Sequence, residues 1–347
     1  MSRKQSDNEL KFALALGSGS ARGWAHIGVL RALHDHGIRP HIVTGTSIGA
    51  LVGGAYASGN LDALEKWIRP LDRLDIIRLM DARLRGGGFI RGERLFARLA
   101  EHVNDVPIES LPLKFAAVAT ELASGREIWL RKGSLLQAIR ASIALPGIFT
   151  PAADQERFLI DGGLVNPVPI SVARAMGADV VIAVNLNDGL VGKAGLAHPT
   201  QASAETTTND EPDDEEASSA FWQKLSELNG AMKLRFESLI SSQDEKKSQP
   251  QQPGIFDVVM GAINIMQDRI TRSRMAGDPP DVIIAPRLQH IGVMAFDCGE
   301  EAIEEGYRAA ERVIPDIKHL LGRGAQISPT TAPAPASSQP APQSGKS

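Results

Sequence analysis

Three short stretches of the chain carry residue types that could make and break bonds. Gly45-Thr46-Ser47-Ile48-Gly49 sets a serine between two glycines in the pattern G-x-S-x-G. On a strand-to-helix turn this pattern pushes the serine hydroxyl out of the sheet edge and leaves the next N–H, that of Ile48, at a helix N-terminus. The same pentapeptide also suits a glycine-lined turn with Ser47 as N-cap, so its chemistry depends on partners elsewhere. Gly17-Ser18-Gly19-Ser20-Ala21-Arg22-Gly23 follows the apolar run Leu14-Ala15-Leu16 and opens a helix near Trp24. Such a loop lines up N–H groups that serve a developing oxyanion or a phosphate equally well. In Leu159-Ile160-Asp161-Gly162-Gly163 an apolar strand ends in a carboxylate, and the two glycines after it permit close approach of backbone or ligand. Asp-Gly-Gly alone is usually a turn; beside Ser47, Asp161 becomes a candidate base.

A serine nucleophile needs a proton acceptor. None of the eight histidines has a local catalytic signature. His290 would complete the order Ser, Asp, His of an α/β-hydrolase triad, but only one strand is expected before the nucleophile strand, too early for that fold. Asp161 is the better candidate, although a free aspartate with a pKa of about 3.9 is a poor base for a hydroxyl. It requires a dry pocket that raises its basicity and oxyanion donors worth about 3 kcal/mol each. The non-catalytic rival is a nucleotide-binding or regulatory module built on the glycine loop. Against it, Arg22 occupies the last glycine position of G-x-G-x-x-G, and Thr44-Gly45 stands where an acid should end the second strand. No Gly-Lys-Ser/Thr follows, so the P-loop is absent. Arg22 suits either of two roles, steering an anionic head group or clamping its own loop.

The elements that must position these residues follow from the apolar pattern. Short apolar runs alternate with helical stretches, the βα pattern of a mainly parallel sheet flanked by helices. Strands are expected at Phe12–Leu16, His41–Thr44, Phe115–Thr120, Phe158–Ile160, Asp179–Val184 and Asp281–Ala285. Helices are expected at Trp24–His36 and Ile48–Ser58, stopped by Gly37 and Gly59, with a hairpin turn at Thr120–Glu127. The uncharged stretch Ile42–Leu61 has Gly45, Gly49 and Gly53 at the spacing of paired membrane helices, but it reads better as a strand ending in a tight turn.

The 347 residues include 37 basic and 41 acidic side chains, a net charge of −4, which supplies no broad cationic surface for nucleic acid. The single cysteine, Cys298, excludes an internal disulfide framework and multi-cysteine metal sites, and reads as a core thiol in a reducing compartment. No secretory signal is apparent at Met1–Lys11, so a cytoplasmic location is expected. Glu300, Glu301, Glu304 and Glu305 read as a solvated first helical turn rather than a metal site, and neither metal nor cofactor is expected. The expected organisation is a disordered tail at 1–10, one domain at 11–324 with a largely disordered acidic insertion at 188–254, and a Pro/Ala/Ser-rich tail at 325–347. Within the insertion, Phe221–Ile240 carries one apolar helical face, which would act as a lid, lie peripherally on the inner membrane face, or pack on its own domain or a second subunit.

Taken in order, these motifs resemble the patatin-like phospholipases, nearest their bacterial RssA-type branch and the catalytic domain of neuropathy target esterase. The resemblance runs from about Lys11 to Asn185 and more weakly over Asp281–Leu321. Arg140-Ala141-Ser142, Pro146–Pro151 and Asn166-Pro167-Val168-Pro169 also match the family. It implies a patatin-like three-layer α/β/α architecture, a Ser47–Asp161 dyad without metal, and hydrolysis of acyl esters of phospholipids, lysophospholipids or related lipids. Gly17, Ser18, Gly19, Ser20 and Ile48 are then expected to form the oxyanion hole, with Arg22, Gly23, Gly45, Gly49 and Gly162 as motif and substrate-positioning residues. Ser18 departs from the glycine of many relatives and is expected to crowd the loop.

Overall fold

The apolar runs become strands because five residues are too few for a stable helix, and when buried on both faces they satisfy their backbone by pairing with neighbouring strands. The computed structural model describes residues 10–79, 93–189 and 255–325. Most of the acidic insertion, the segment Phe221–Ile240 and nearly all of both tails lie outside those residues.

Eight strands form one sheet: β1 (Phe12–Leu16), β2 (Ile42–Thr46), β3 (Lys114–Glu121), β4 (Glu127–Leu130), β5 (Ala152–Asp154), β6 (Arg157–Asp161), β7 (Val180–Val184) and β8 (Val282–Ile284). Pairing runs β5-β6-β3-β2-β1-β7-β8, with β4 also on β3. The pairs joining β3, β2, β1, β7 and β8 are parallel, whereas β4, β5 and β6 pair antiparallel. The expected hairpin is present, with Thr120 opposite Glu127. β5 was not anticipated by the sequence.

The helices are α1 (Ala25–Asp35), α2 (Ile48–Ala57), α3 (Leu61–Ile68), α4 (Arg73–Leu79), α5 (Glu93–His102), α6 (Leu135–Ser142), α7 (Ile170–Ala175), α8 (Ile255–Gly277), α9 (Gly299–Glu311) and α10 (Ile314–Ala325). Alternation along the strands divides them between two faces. Leu14, Leu16, Val43, Phe115 and Ile182 join the large core with α1, α2, α6 and α9. Ala13, Ala15, Val181 and Ala183 pack on the other face against Val168, Ile170 and Ala173 at α7. The result is the expected three-layer α/β/α arrangement. Gly37 and Gly59, both at positive φ, follow the ends of α1 and α2. Ile42–Leu61 is β2, α2 and the start of α3, and among the described residues no helix is long and apolar enough to cross a membrane.

One feature of the register matters most for the site. β2 and β4 must take opposite edges of β3, because Ala117 pairs with both Gly45 and Leu130. Likewise β4 and β6 take opposite edges, because Ala119 pairs with both Ile128 and Asp161. β2 and β6 therefore share one edge of β3, running toward each other. β2 ends with Thr46 opposite Val118, and β6 ends with Asp161 opposite Ala119, the next residue.

Candidate active site

At this junction Ser47 leaves β2 with φ 57° and ψ −124°. Positive φ in a non-glycine residue costs on the order of 1–3 kcal/mol, so the surroundings must hold it. Its N–H donates to Ser142 Oγ at 2.8 Å, and the fully buried Ser142, at the end of α6, donates in turn to the Val118 carbonyl at 2.6 Å. The Ser47 carbonyl starts α2 by accepting from the N–H groups of Ala50 and Leu51. Gly49 lets that helix begin against β1, since a Cβ there would lie 2.2 Å from the Leu16 carbonyl oxygen.

Ser47 Oγ donates to Asp161 Oδ2 at 2.5 Å, while the Gly163 N–H donates to Oδ1 at 2.7 Å. Gly162 is required by close approach, because a Cβ there would lie 2.2 Å from the Val118 carbonyl oxygen. Asp161 is 1% exposed. Burial pushes its carboxyl up to about 6, against the opposing pull of the Ser47 and Gly163 hydrogen bonds. The hydroxyl and carboxylate open into an apolar cavity walled by Leu51, Ile68, Leu145, Ile148 and Ile263 among others. Among the described residues lining it, Asp161 is the only Asp, Glu, His, Lys or Arg.

The glycine loop is only partly free. The Gly17 N–H donates to the Val184 carbonyl at 3.0 Å, continuing the β1–β7 ladder, and the Ser18 N–H donates to the Pro167 carbonyl at 2.8 Å. Those two N–H groups, expected in the oxyanion hole, are therefore spent on the fold. The N–H groups of Gly19, Ser20 and Ile48 have no acceptor among the described residues, and all three residues line the cavity. Ser18 does not crowd the loop: its buried hydroxyl donates to Gln267 Oε1 on α8 at 3.0 Å.

Arg22 resolves as a clamp. It is 5% exposed, its Nε donates to the Ile291 carbonyl at 2.9 Å, and burial pulls the guanidinium down to about 10. It is not among the described residues lining the cavity, and its bond to the Ile291 carbonyl fits the clamp role. Gly23, Gly45, Gly49 and Gly162 are close-packed positions, where a Cβ would lie 2.4 Å or less from a neighbouring atom. The triad alternative also fails, because His290 is on the surface, bonded to Glu301 Oε1 at 2.8 Å. Among the described residues no histidine lines the cavity. The buried His26 supports the loop instead, its Nε2 lying 2.8 Å from the Gly17 carbonyl oxygen. Because a carbonyl only accepts, Nε2 carries the proton, and burial pulls the ring down to about 4, so it is neutral at physiological pH. Gln267 has no local signal as a loop support because its partner Ser18 lies 249 positions away in sequence, whereas His26 is only nine positions from Gly17 but sits in an apolar helical run that gives its ring no catalytic or capping signature; Ser142 is visible only within the family segment ending at that residue. Among the described residues no three His, Cys, Asp or Glu side chains cluster as metal ligands.

The chain is similar to several known proteins. The sequence profile of the patatin-like phospholipases matches residues 14–174. An uncharacterized NTE family protein of Mycobacterium tuberculosis (strain H37Rv) is 33% identical over 340 residues, covering 90% of this chain and 93% of that one. Patatin-like phospholipase domain-containing protein 6 of Homo sapiens is 35% identical over 187 residues, 50% of this chain and 13% of that much longer one. The crystal structure of VipD from Legionella pneumophila aligns with a TM-score of 0.41 at 14% identity, over 90% of this chain and 67% of that one.

Proposed function

Since the chain belongs to the patatin-like phospholipase family, a family of lipid acyl hydrolases, we propose that it cleaves acyl esters of phospholipids or lysophospholipids through Ser47 and Asp161. The observation that carries this reading is the 2.5 Å contact between Ser47 Oγ and Asp161 Oδ2 at the end of an apolar cavity. An acyl chain would lie along the apolar wall, with its ester carbonyl at Ser47. Ser47 Oγ attacks the carbonyl carbon as its proton passes to Asp161 Oδ2, and the tetrahedral oxyanion takes hydrogen bonds from the N–H groups of Gly19, Ser20 and Ile48. Collapse breaks the ester C–O bond, and the departing oxygen receives the proton from Asp161. Water then attacks the acyl-enzyme, Asp161 takes its proton, and Ser47 recovers that proton as the fatty acid leaves.

Burial makes this aspartate a competent base. A carboxyl lifted to about 6 is about nine-tenths ionised at pH 7, yet far more basic than a solvated one. The deciding experiment assays p-nitrophenyl esters, lysophospholipids and phospholipids alongside fluorophosphonate labelling. Wild type is expected to label at Ser47 and hydrolyse, and Ser47→Ala is expected to do neither. Full turnover by folded Ser47→Ala overturns the proposal.

A further inference from the structure

Gln267 lies between the two halves of the candidate site, bonded to the glycine loop and close to the aspartate turn. It projects from α8, beyond the segment matched by the family profile, and is 6% exposed. Its Oε1 accepts from Ser18 Oγ at 3.0 Å and from Asn187 Nδ2 at 3.4 Å. Asn187 Nδ2 also faces the Ser18 carbonyl oxygen at 3.5 Å, which can only accept, so the amide orientations are fixed: Gln267 turns its oxygen to the loop and its nitrogen away. That nitrogen lies beside the aspartate turn. A Cβ built on Gly163 would be 2.5 Å from Gln267 Nε2 and 3.0 Å from Asp161 Oδ1, so the two atoms are no further apart than those distances together.

We propose that Gln267 is a positioning residue for the hydrolysis, a brace that fixes Ser18, and with it the donor N–H groups of Gly19 and Ser20, relative to the turn bearing Asp161. The proposal rests on the Ser47–Asp161 reading. Ser18 and Gln267 form a matched pair on this account: a hydroxyl that needs an acceptor in a buried place, and an amide oxygen that needs a donor. Asp161 is a sensitive reporter for the brace, because no other charged side chain lines the cavity and none contributes to its raised basicity.

The test compares Gln267→Met, Gln267→Glu, Ser18→Ala and the Ser18→Ala/Gln267→Met double variant, each checked for folding by thermal unfolding. Gln267→Met fills the space without an acceptor and is expected to lower kcat about five- to tenfold with KM little changed. Ser18→Ala should lose a similar factor, and the double variant should be no worse than the poorer single one. Gln267→Glu retains an acceptor for Ser18, so its kcat should recover at pH 9. Its carboxylate close to Asp161 should move the acid limb of activity up by about one pH unit. Losses that multiply in the double variant, kcat within twofold of wild type for Gln267→Met, or an unmoved acid limb for Gln267→Glu would each overturn the brace. Ser47→Ala run in parallel keeps the two readings apart: if it abolishes turnover while the Gln267 variants behave as wild type, only the brace fails.

Discussion

Replacing Asp161 by Asn should remove activity and add stability, and the size of the gain follows from burial. The carboxyl rises from 3.8 to about 6 on folding. At about 1.36 kcal/mol per pH unit, the folded protein bears about 3 kcal/mol of carboxylate desolvation at pH 8 that the unfolded chain escapes. The native state binds the proton more tightly, so stability from this group is fully present below about pH 4 and is lost as pH rises through about 6. An amide cannot ionise, yet it offers an oxygen to the Gly163 N–H and keeps a polar contact with Ser47. Asp161→Asn should therefore be more stable than wild type by up to about 3 kcal/mol at pH 8, by about half that at pH 5, and by nothing near pH 3. Loss of the general base should cut ester hydrolysis by about 10²- to 10⁴-fold. Urea denaturation at pH 8 and pH 5, with ester turnover on the same preparations, measures both effects. A variant less stable than wild type at pH 8, or an advantage independent of pH, would refute the assigned burial energetics; near-normal turnover would refute the base.

In wild type the same group should set an acid limb near pH 6, with turnover at pH 5 about a tenth of that at pH 7. An aspartate titrating near 4 would leave the two rates nearly equal, and a pH–rate profile of kcat distinguishes them. Ser142→Ala removes the acceptor for the Ser47 N–H and the donor to Val118, leaving two buried groups unpaired. It should destabilise by about 1–3 kcal/mol and lower kcat more than it alters KM, seen by urea denaturation and steady-state kinetics.

Much of the fold was legible because its signals are local. Six expected strands are present, Phe12–Leu16 with the expected bounds and the others with ends shifted by at most two residues, and Gly37 and Gly59 mark helix ends through their own backbone freedom. β5, Ala152–Asp154, escaped because three partly polar residues carry no period; its identity comes from pairing with β6. The proposed nucleophile and base were legible for the same local reason, each beside glycines at a strand end. What each loop N–H does was not, since the ladder on β7 and the Pro167 carbonyl, both remote in sequence, decide that Gly17 and Ser18 have none to spare. Gln267 shows the extreme case: its partner Ser18 is 249 positions away, and no motif surrounds it.

The shared edge of β3 gives a structural basis for the proposed dyad, in which a short aspartate would serve without a histidine between it and the serine. Ser47 follows the residue opposite Val118, and Asp161 lies opposite Ala119, so one strand step of about 3.3 Å separates the two anchoring points. Main-chain contacts hold both ends: Val118 receives Ser142, which holds the Ser47 N–H, and Thr120 Oγ1 donates to the Asp161 carbonyl at 2.8 Å. A longer base on a flexible arm would need a further residue to orient it; here the sheet supplies the orientation. The dependence on register is correspondingly strict. Sliding β6 by one residue would turn Asp161 to the opposite face and put Ile160 or Gly162 at the junction. The hydroxyl-to-carboxylate distance is thus a property of strand pairing, set by β3, β6 and the glycines between them as much as by the two side chains proposed to react.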